Sequence, residues 1–568
     1  MILVEIHNNY STITDKSSYN GRLPSHLQES IRETLSYIVP NAEWSPKFKQ
    51  GLWDGKISIY NKRNQTFPTG LCGRIKSLFD ILKVDYSFVD KRLKPEQNYP
   101  IESDFGGKEL RFYQKDAADL ALKCQRGMLS LATGAGKTLT SCQIFSNLQV
   151  APVLFIVPAI ELLKQTQKEF EKILRINGEK VQVGIAGDGI CQLNFNGINV
   201  MTYQTALAAY NKKYSESQYK IVEDKNQGDG SSKTTEELQK ELNEASKLYK
   251  STEALCIRLN HTEVEKSKKL RVPLANLKKK EAALNTRLKA MSNKKNIRDL
   301  ISSVKALIVD EAHVAPVVIE EISNSAEQAY YKLGLSATPF RTDNQEIRIE
   351  GTLGRKIIEV NASDLIELGF LVPPKIFMCP IETIEPGETY QEVYSNNIVN
   401  NWERNYRIKQ FAESFKESGR PTLILVERLE HGNLLEGMIE DSVFVPGGDK
   451  GEIDPSDEEK NYRRRMLNAV ENNEVILIAT QWANVGVDAP KISSLILAGS
   501  SSSPVTTYQQ AGRVLRCVGK DMEASINNGK PDAIVIDFST NQKHLKQHSL
   551  MRKKVYRNER AWRFEELK

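Results

Sequence analysis

From Leu110 onward, short unbroken apolar runs are separated by longer mixed segments. Val153–Val157 is wholly apolar and is stopped by Pro158; Ala306–Val309 and the run 332–336 follow. A second set lies at 422–426, 475–479 and 533–536. Runs this short and this apolar, bounded by polar turns, are what strands covered on both faces look like. They predict an α/β fold with two similar parallel-sheet lobes. Residues 1–100 read differently: short apolar runs alternate with turns, which predicts a small α/β domain. Residues 104–107 carry two glycines and serve as a linker.

Between the lobes' first signals the periodicity changes. Leu238, Leu242, Ala245, Tyr249, Thr252, Cys256 and Leu259 recur at alternating spacings of four and three, and Leu270, Leu274, Leu277, Leu284, Leu288 and Met291 form a second such run. Both fit a coiled-coil seam, so an antiparallel helical hairpin inserted in the first lobe is expected over about 211–300, with 211–234 as loop. The expected domains are 1–105 (nucleic-acid-binding), 106–380 (first lobe with the insert), 381–545 (second lobe) and 546–568 (a basic C-terminal helix or tail).

Composition narrows the classes. The 568 residues are 40% hydrophobic and 26% charged, with a net charge of +6, so any basic surface is local. The second hairpin helix is such a place: from Lys266 to Arg298 there are 12 Lys/Arg and one acid, Glu281. That pattern suits a solvated face or a phosphate-contacting arm. No run of 18 apolar residues predicts a membrane span, and the start looks like a strand, not a signal peptide. Seven scattered cysteines without a Cys-x-x-Cys pair read as reduced thiols.

The chemistry is concentrated at strand ends. Leu131-Ala132-Thr133-Gly134-Ala135-Gly136-Lys137-Thr138 is a phosphate loop lacking only the first glycine of the full pattern. Its glycines let backbone N–H groups face phosphate at a helix N-terminus, with Lys137 on the β and γ oxygens and Thr138 on Mg²⁺. Asp310-Glu311-Ala312-His313 follows an apolar strand. Asp310 is expected to hold Mg²⁺ and Glu311 to prepare a water, while His313 links the site to the other lobe. Ser336-Ala337-Thr338 suits either a bridge to that site or a helix-capping turn. Arg513 and Arg516 share a helical face, as arginine fingers or as surface arginines. Gln114, beside Arg111, is placed to read adenine or to start a helix.

Taken in order, these elements resemble the superfamily 2 helicases and translocases over about 110–540. Gln114 matches that family's glutamine motif; Gly134, Gly136, Lys137 and Thr138 match motif I; 157–165 is similar to motif Ia and 201–205 to motif Ic. Residues 310–313 match motif II, 336–338 motif III, 423–426 motif IV, 480–488 motif V and 509–516 motif VI. The resemblance implies two RecA-like lobes with ATP between them. It implies catalytic roles for Lys137, Asp310, Glu311, His313, Gln509, Arg513 and Arg516, and nucleotide contacts from Arg111, Gln114, Thr133, Gly134, Ala135, Gly136, Lys137, Thr138, Gly486 and Asp488.

The run Pro46-Lys47-Phe48-Lys49, then Gly51-Leu52-Trp53-Asp54-Gly55-Lys56 and Phe67-Pro68…Gly70-Leu71, resembles the N-terminal domain of the phage UvsW helicase family. That resemblance implies an ATP- and Mg²⁺-dependent enzyme on single-stranded and branched DNA, including forks, Holliday junctions, D-loops, R-loops and RNA–DNA hybrids. It places the chain, most simply a monomer, in the host cytoplasm, in recombination, repair and replication, beside recombination or single-strand-binding proteins. An RNA helicase and a duplex translocase without strand separation are the alternatives. The hairpin departs from the family pattern.

Overall fold

The computed structural model describes every residue except 108, 211–234, 263, 338–344, 383, 448–456, 481–488 and 568. The first lobe is built on an eight-stranded sheet. Its spatial order is Ile190–Gln192, Gly184–Gly187, Ile198–Thr202, Val153–Val157, Ala306–Val309, Tyr331–Ser336, Arg126–Leu131 and Lys356–Val360. All neighbours pair parallel except Ile190–Gln192 with Gly184–Gly187 at one edge. The inner strands are buried along their whole length, which is why they read as unbroken apolar runs. Phe145, Phe155 and Phe170 pack edge to face under one side of the sheet, with centroids 5.1 Å apart at the two closer contacts. Leu154, Ile156, Leu307 and Val309 face the other side, against Ile301, Ile319 and Ile322.

The second lobe carries a seven-stranded, wholly parallel sheet. Its order is Ser442–Val445, Ile476–Ala479, Thr422–Leu425, Ser494–Leu497, Ala533–Thr540, Pro374–Ile381 and Arg563–Glu566. Two expectations need correction here. The boundary at 380 falls inside Pro374–Ile381, a strand held between two others of the second sheet. The C-terminal segment is not only a helix, Lys543–Asn558, but also the edge strand Arg563–Glu566. The helix is tied to the sheet where Asp537 accepts from Arg552 Nε at 2.7 Å and from Tyr556 Oη at 2.8 Å.

The N-terminal domain pairs Thr66–Pro68, Tyr10–Asp15, Ile2–Ile6 and Tyr86–Asp90 in one sheet. Val4, Ile13, Ile31, Phe67, Ile75 and Phe79 form its core, which Ile347 of the first lobe also joins. Gly70 lies so close to the first lobe that a Cβ there would sit 2.0 Å from the Glu350 carbonyl oxygen. Arg74 pairs with Glu350 at 2.6 Å. Ile101–Ser103, expected in this first domain, instead pairs with Leu174–Ile176 beside the first lobe.

Two long helices, Thr235–Thr262 and Val264–Ser303, run side by side. Leu238, Ala245 and Leu284 are buried between them with Leu242, Leu288 and Met291 alongside, and Lys280 lies 3.8 Å from Glu241, so the helices are antiparallel. The loop expected at 211–234 lies outside the described residues. The root of the pair is packed: Ile297, Leu300, Ile301 and Val304 meet Ala206 and Ala209 of the helix Tyr203–Tyr210. No described helix is long and apolar enough to cross a membrane, and the six described cysteines are free thiols.

Candidate nucleotide site between the lobes

The phosphate loop connects the strand Arg126–Leu131 to the helix Lys137–Leu148. Gly134 and Gly136 both adopt positive φ, 85° and 84°, which turns the loop back on itself at the helix N-terminus. A Cβ at Gly136 would also lie 2.4 Å from Gln114 Nε2. Gln114 and Tyr113 brace this turn, donating to the Ala135 carbonyl at 2.8 and 2.9 Å. Gln114 Oε1 accepts from the Arg111 N–H at 2.9 Å, capping the helix Phe112–Cys124. Each end of the Gln114 amide is thus bonded to protein, and the residue is 3% exposed. Through these two bonds it braces the loop.

Asp310 and Glu311 sit just past the strand Ala306–Val309. Lys137 Nζ is hydrogen-bonded to Glu311 Oε1 and lies 4.0 Å from Asp310 Oδ1. Glu311 adopts a positive φ of 47°, a conformation costing a non-glycine residue about 1 kcal/mol or more. The surroundings impose it. Ala312 N–H donates to Leu335 O at 3.0 Å, and Tyr203 Oη donates to the carbonyls of Asp310 and Glu311 at 2.6 and 3.2 Å. His313 Nδ1 lies 2.8 Å from Ser336 Oγ and 3.5 Å from Glu311 Oε2. Both of these contacts are within the first lobe.

Burial raises Asp310 above the ordinary carboxylate range, against the pull of Lys137. Burial pushes Glu311 the same way, but Lys137 and His313 hold it below its usual value. Burial opposes charge on Lys137 too, yet Glu311 and Asp310 keep it firmly protonated. The lysine and the two carboxylates therefore stand as a charged cluster in a confined space.

The second lobe closes the site. The helix Pro504–Arg513 starts at a Ser503 cap that accepts from Thr506 N–H at 3.2 Å. At its far end Gly512 lies against Thr133; a Cβ there would be 3.0 Å from Thr133 Cβ. Arg513 is half-buried, and the loss of water around its guanidinium, with Arg516 beside it, pushes its pKa down to about 9, while Glu311 opposes that fall. Its Nε has no acceptor. The Arg516 side chain comes within 3.7 Å of the point where a Cβ on Gly134 would lie. Its backbone is fixed twice: Val372 N–H donates to Leu515 O at 2.8 Å, and Lys530 Nζ donates to Arg516 O at 2.8 Å and to Pro490 O at 2.5 Å. Arg111 bridges the lobes as well, stacking on Phe370 at 4.0 Å and donating to Lys520 O at 3.3 Å.

Of the residues singled out on sequence, Lys137, Asp310, Glu311, His313, Arg513 and Arg516 converge on this cleft, with Thr133, Gly134, Ala135, Gly136, Arg111 and Gln114 along its first-lobe wall. Thr138 is half-buried in the first turn of the helix Lys137–Leu148, and Gln509 is half-buried on the helix that carries Arg513. Gly486 and Asp488 lie outside the described residues. Sequence reasoning missed Tyr113, Phe370 and Lys530. Each acts through a ring face or on a backbone carbonyl, contacts that no spacing rule encodes.

Chemically, the cleft suits an anion with a cation bound to it. Lys137, Arg513 and Arg516 outnumber Asp310 and Glu311, and Glu311 Oε2 and Arg513 Nε are buried with no hydrogen-bond partner. Among the described residues no group of three or more His, Cys, Asp or Glu could hold a metal alone. A Mg²⁺ here would need phosphate oxygens and water to complete its six oxygen ligands, the usual way this ion is bound beside phosphates.

Three family models match the chain in succession. "DNA helicase UvsW, N-terminal" covers residues 14–90, "Type III restriction enzyme, res subunit" covers 107–227, and "Helicase conserved C-terminal domain" covers 407–518. The chain is therefore a superfamily 2 helicase, an ATPase-coupled enzyme by class. Within that class it belongs with the UvsW-like helicases. The ATP-dependent DNA helicase uvsW of Enterobacteria phage T4 is 21% identical over 561 residues, 93% of each chain. Helicase 22 of Sulfolobus islandicus filamentous virus is 25% identical over 244 residues, 40% of this chain and 43% of its own. The DNA 3'-5' translocase XPB2 of Sulfurisphaera tokodaii is 36% identical over 125 residues, 21% of this chain and 26% of its own. The chain thus spans less than half the length of these last two relatives. The crystal structure of T4 UvsW aligns over 100% of this chain and 98% of its own, at 18% identity and a TM-score of 0.40.

Proposed function

We propose that this protein is an ATP-driven DNA helicase that remodels branched DNA in recombination, repair and replication. The observation that carries the reading is the shared wall of the cleft. Arg513 and Arg516 come from the second lobe yet stand against Glu311 and Gly134 of the first. A site divided in this way couples chemistry to the distance between lobes. The DNA assignment rests on the likeness to T4 uvsW, which is described as an ATP-dependent DNA helicase.

In this reading the loop N–H groups and Lys137 hold the phosphates, and Thr138 and Asp310 hold Mg²⁺, which neutralises charge on the phosphates when bound. Glu311 is the base that orients and deprotonates a water; its depressed pKa keeps it ionised for that task. While Lys137 is bonded to Glu311 the base is occupied, so nucleotide entry must draw the lysine onto phosphate and release the carboxylate. Arg513 and Arg516 act as arginine fingers, with Gln509 on the same helix, and pull the second lobe inward. Opening after hydrolysis moves one lobe along the strand relative to the other. The grip on DNA is to the backbone, hence sequence-independent and salt-sensitive.

The N-terminal domain completes the proposal. Trp44, Phe48 and Leu52 are exposed there, and Lys49 lies 5.4 Å from the Trp44 ring centroid. An apolar and basic tip of this kind suits a branch point, where bases are unstacked. The working form is a monomer in the host cytoplasm, meeting recombination or single-strand-binding proteins on the DNA.

The test is ATP turnover and strand separation measured side by side on single-stranded DNA, forks, four-way junctions, RNA–DNA hybrids and RNA. Forks and junctions are expected to be unwound and DNA to stimulate turnover, and Lys137→Ala is expected to abolish turnover while DNA binding persists. Stimulation by RNA alone, or turnover on duplex with no strand separated, contradicts the reading.

A further inference from the structure

The helix Val264–Ser303 plays no part in the site between the lobes, yet it carries 12 Lys/Arg against three acids, Glu265, Glu281 and Asp299. Lys280, Arg287 and Lys294 follow at intervals of seven residues, and Arg298 lies four beyond. Intervals of seven and four keep residues near one flank of an α-helix, so these four cations form a line. All four are exposed, and Lys280 alone of them pairs with a described carboxylate, Glu241. The partner helix Thr235–Thr262 is different: five glutamates stand against four Lys/Arg. If the lysines served only to keep a long hairpin in solution, both helices would be equally mixed. The asymmetry puts positive charge on one side of a rigid arm.

We propose that this stripe binds the sugar-phosphate backbone of a duplex arm of the substrate, outside the track that crosses the two lobes. The proposal rests on the helicase reading above. At 1.5 Å per residue Lys280, Arg287 and Lys294 stand about 10 Å apart, Arg298 lies about 6 Å beyond, and the whole line is about 27 Å long. A straight row matches a duplex, which is stiff over about 150 base pairs and carries a charge every 1.7 Å or so of axis, better than a flexible single strand. The root of the arm leads back to the ATP site. Ile297, Leu300 and Ile301 pack on Ala206 and Ala209, whose helix begins at Tyr203, and Tyr203 Oη holds the carbonyls of Asp310 and Glu311. A duplex held by the arm is therefore anchored on the element that shapes the hydrolytic site.

The experiment compares the full-length protein with the quadruple variant Lys280→Gln, Arg287→Gln, Lys294→Gln and Arg298→Gln. Binding to a fork with a long duplex arm and to a single strand of equal length is measured across a salt series. Glutamine keeps helix propensity, and the positions are exposed, so the hairpin is retained. Each phosphate contact contributes about 0.9 to the slope of log affinity against log salt, so four contacts predict a slope about 3 to 4 shallower on the fork. The single-strand slope stays as in the wild type. A charge-keeping set, Lys280→Arg, Arg287→Lys, Lys294→Arg and Arg298→Lys, keeps the fork slope. An unchanged fork slope in the glutamine variant overturns the proposal and leaves the stripe to an acidic protein surface. Equal losses on both substrates overturn it too, as a general charge effect. If the wild type binds neither substrate, the helicase reading itself has failed.

Discussion

At the scale of single residues, the molecule buries ionisable groups well away from its chemistry as well as within it. His431 is fully buried; its Nε2 lies 2.9 Å from Asn405 Oδ1, and its Nδ1 has no partner. Asn405 Nδ2 donates to Val399 O at 2.7 Å, which leaves Oδ1 as the acceptor and fixes the Nε2–H tautomer. Burial, aided by Arg404, pushes this imidazole down to about 3 from an ordinary value of 6.5. The unfolded chain therefore takes up a proton near 6.5 that the folded chain refuses until about 3. Through that window the unfolded state binds more protons, so stability falls as pH falls, by up to about 1.4 kcal/mol per unit from this group. His431→Gln is expected to flatten the decline of the unfolding midpoint between pH 6.5 and 4 relative to wild type. Parallel curves would show that His431 titrates normally. Nothing in the sequence marked this histidine, because its pKa depends on what the fold places around it.

At the scale of elements, strands were easiest to read where both faces are covered. Val153–Val157 and Ala306–Val309 are apolar at every position, so the run alone locates them. Arg563–Glu566 has one apolar residue, Phe564, and pairs on one side only, so it left no pattern to find. Tyr331–Ser336 is the exception among inner strands, since it carries Lys332 at 0% exposure. Its Nζ donates to Ser323 O at 2.6 Å and Ser323 Oγ at 2.9 Å, and also to Asn9 Oδ1 in the first turn of the N-terminal domain. Burial, with Arg126 nearby, lowers this lysine's pKa well below the ordinary value. Lys332→Met keeps the bulk but leaves those acceptors without a donor, at a cost of about 2 kcal/mol. Faster proteolytic release of the N-terminal domain is the expected readout; release at the wild-type rate would mean that the other contacts, among them Ile347, Gly70 and Arg74, suffice to hold it.

At the scale of the whole molecule, the order of the chemical segments was legible and their geometry was not. Lys137, Asp310, Glu311, Arg513 and Arg516 are named by residue type and position after strands. That Gly512 touches Thr133, that Arg516 lies over Gly134, and that Gln114 braces Ala135 are facts of packing between distant parts of the chain. Tyr203 likewise joins three things that sequence keeps apart: the carbonyls behind the carboxylates, the helix Tyr203–Tyr210 and the root of the hairpin. In this enzyme hydrolysis would need the second lobe's arginines at a site whose binding groups belong to the first. The most direct measurement is the DNA-stimulated single-turnover rate of Arg516→Ala, taken with its affinity for ATP. A rate lower by about 10³-fold or more is expected, with affinity changed only a few-fold. A normal rate with lost affinity would contradict it and make Arg516 a binding residue only.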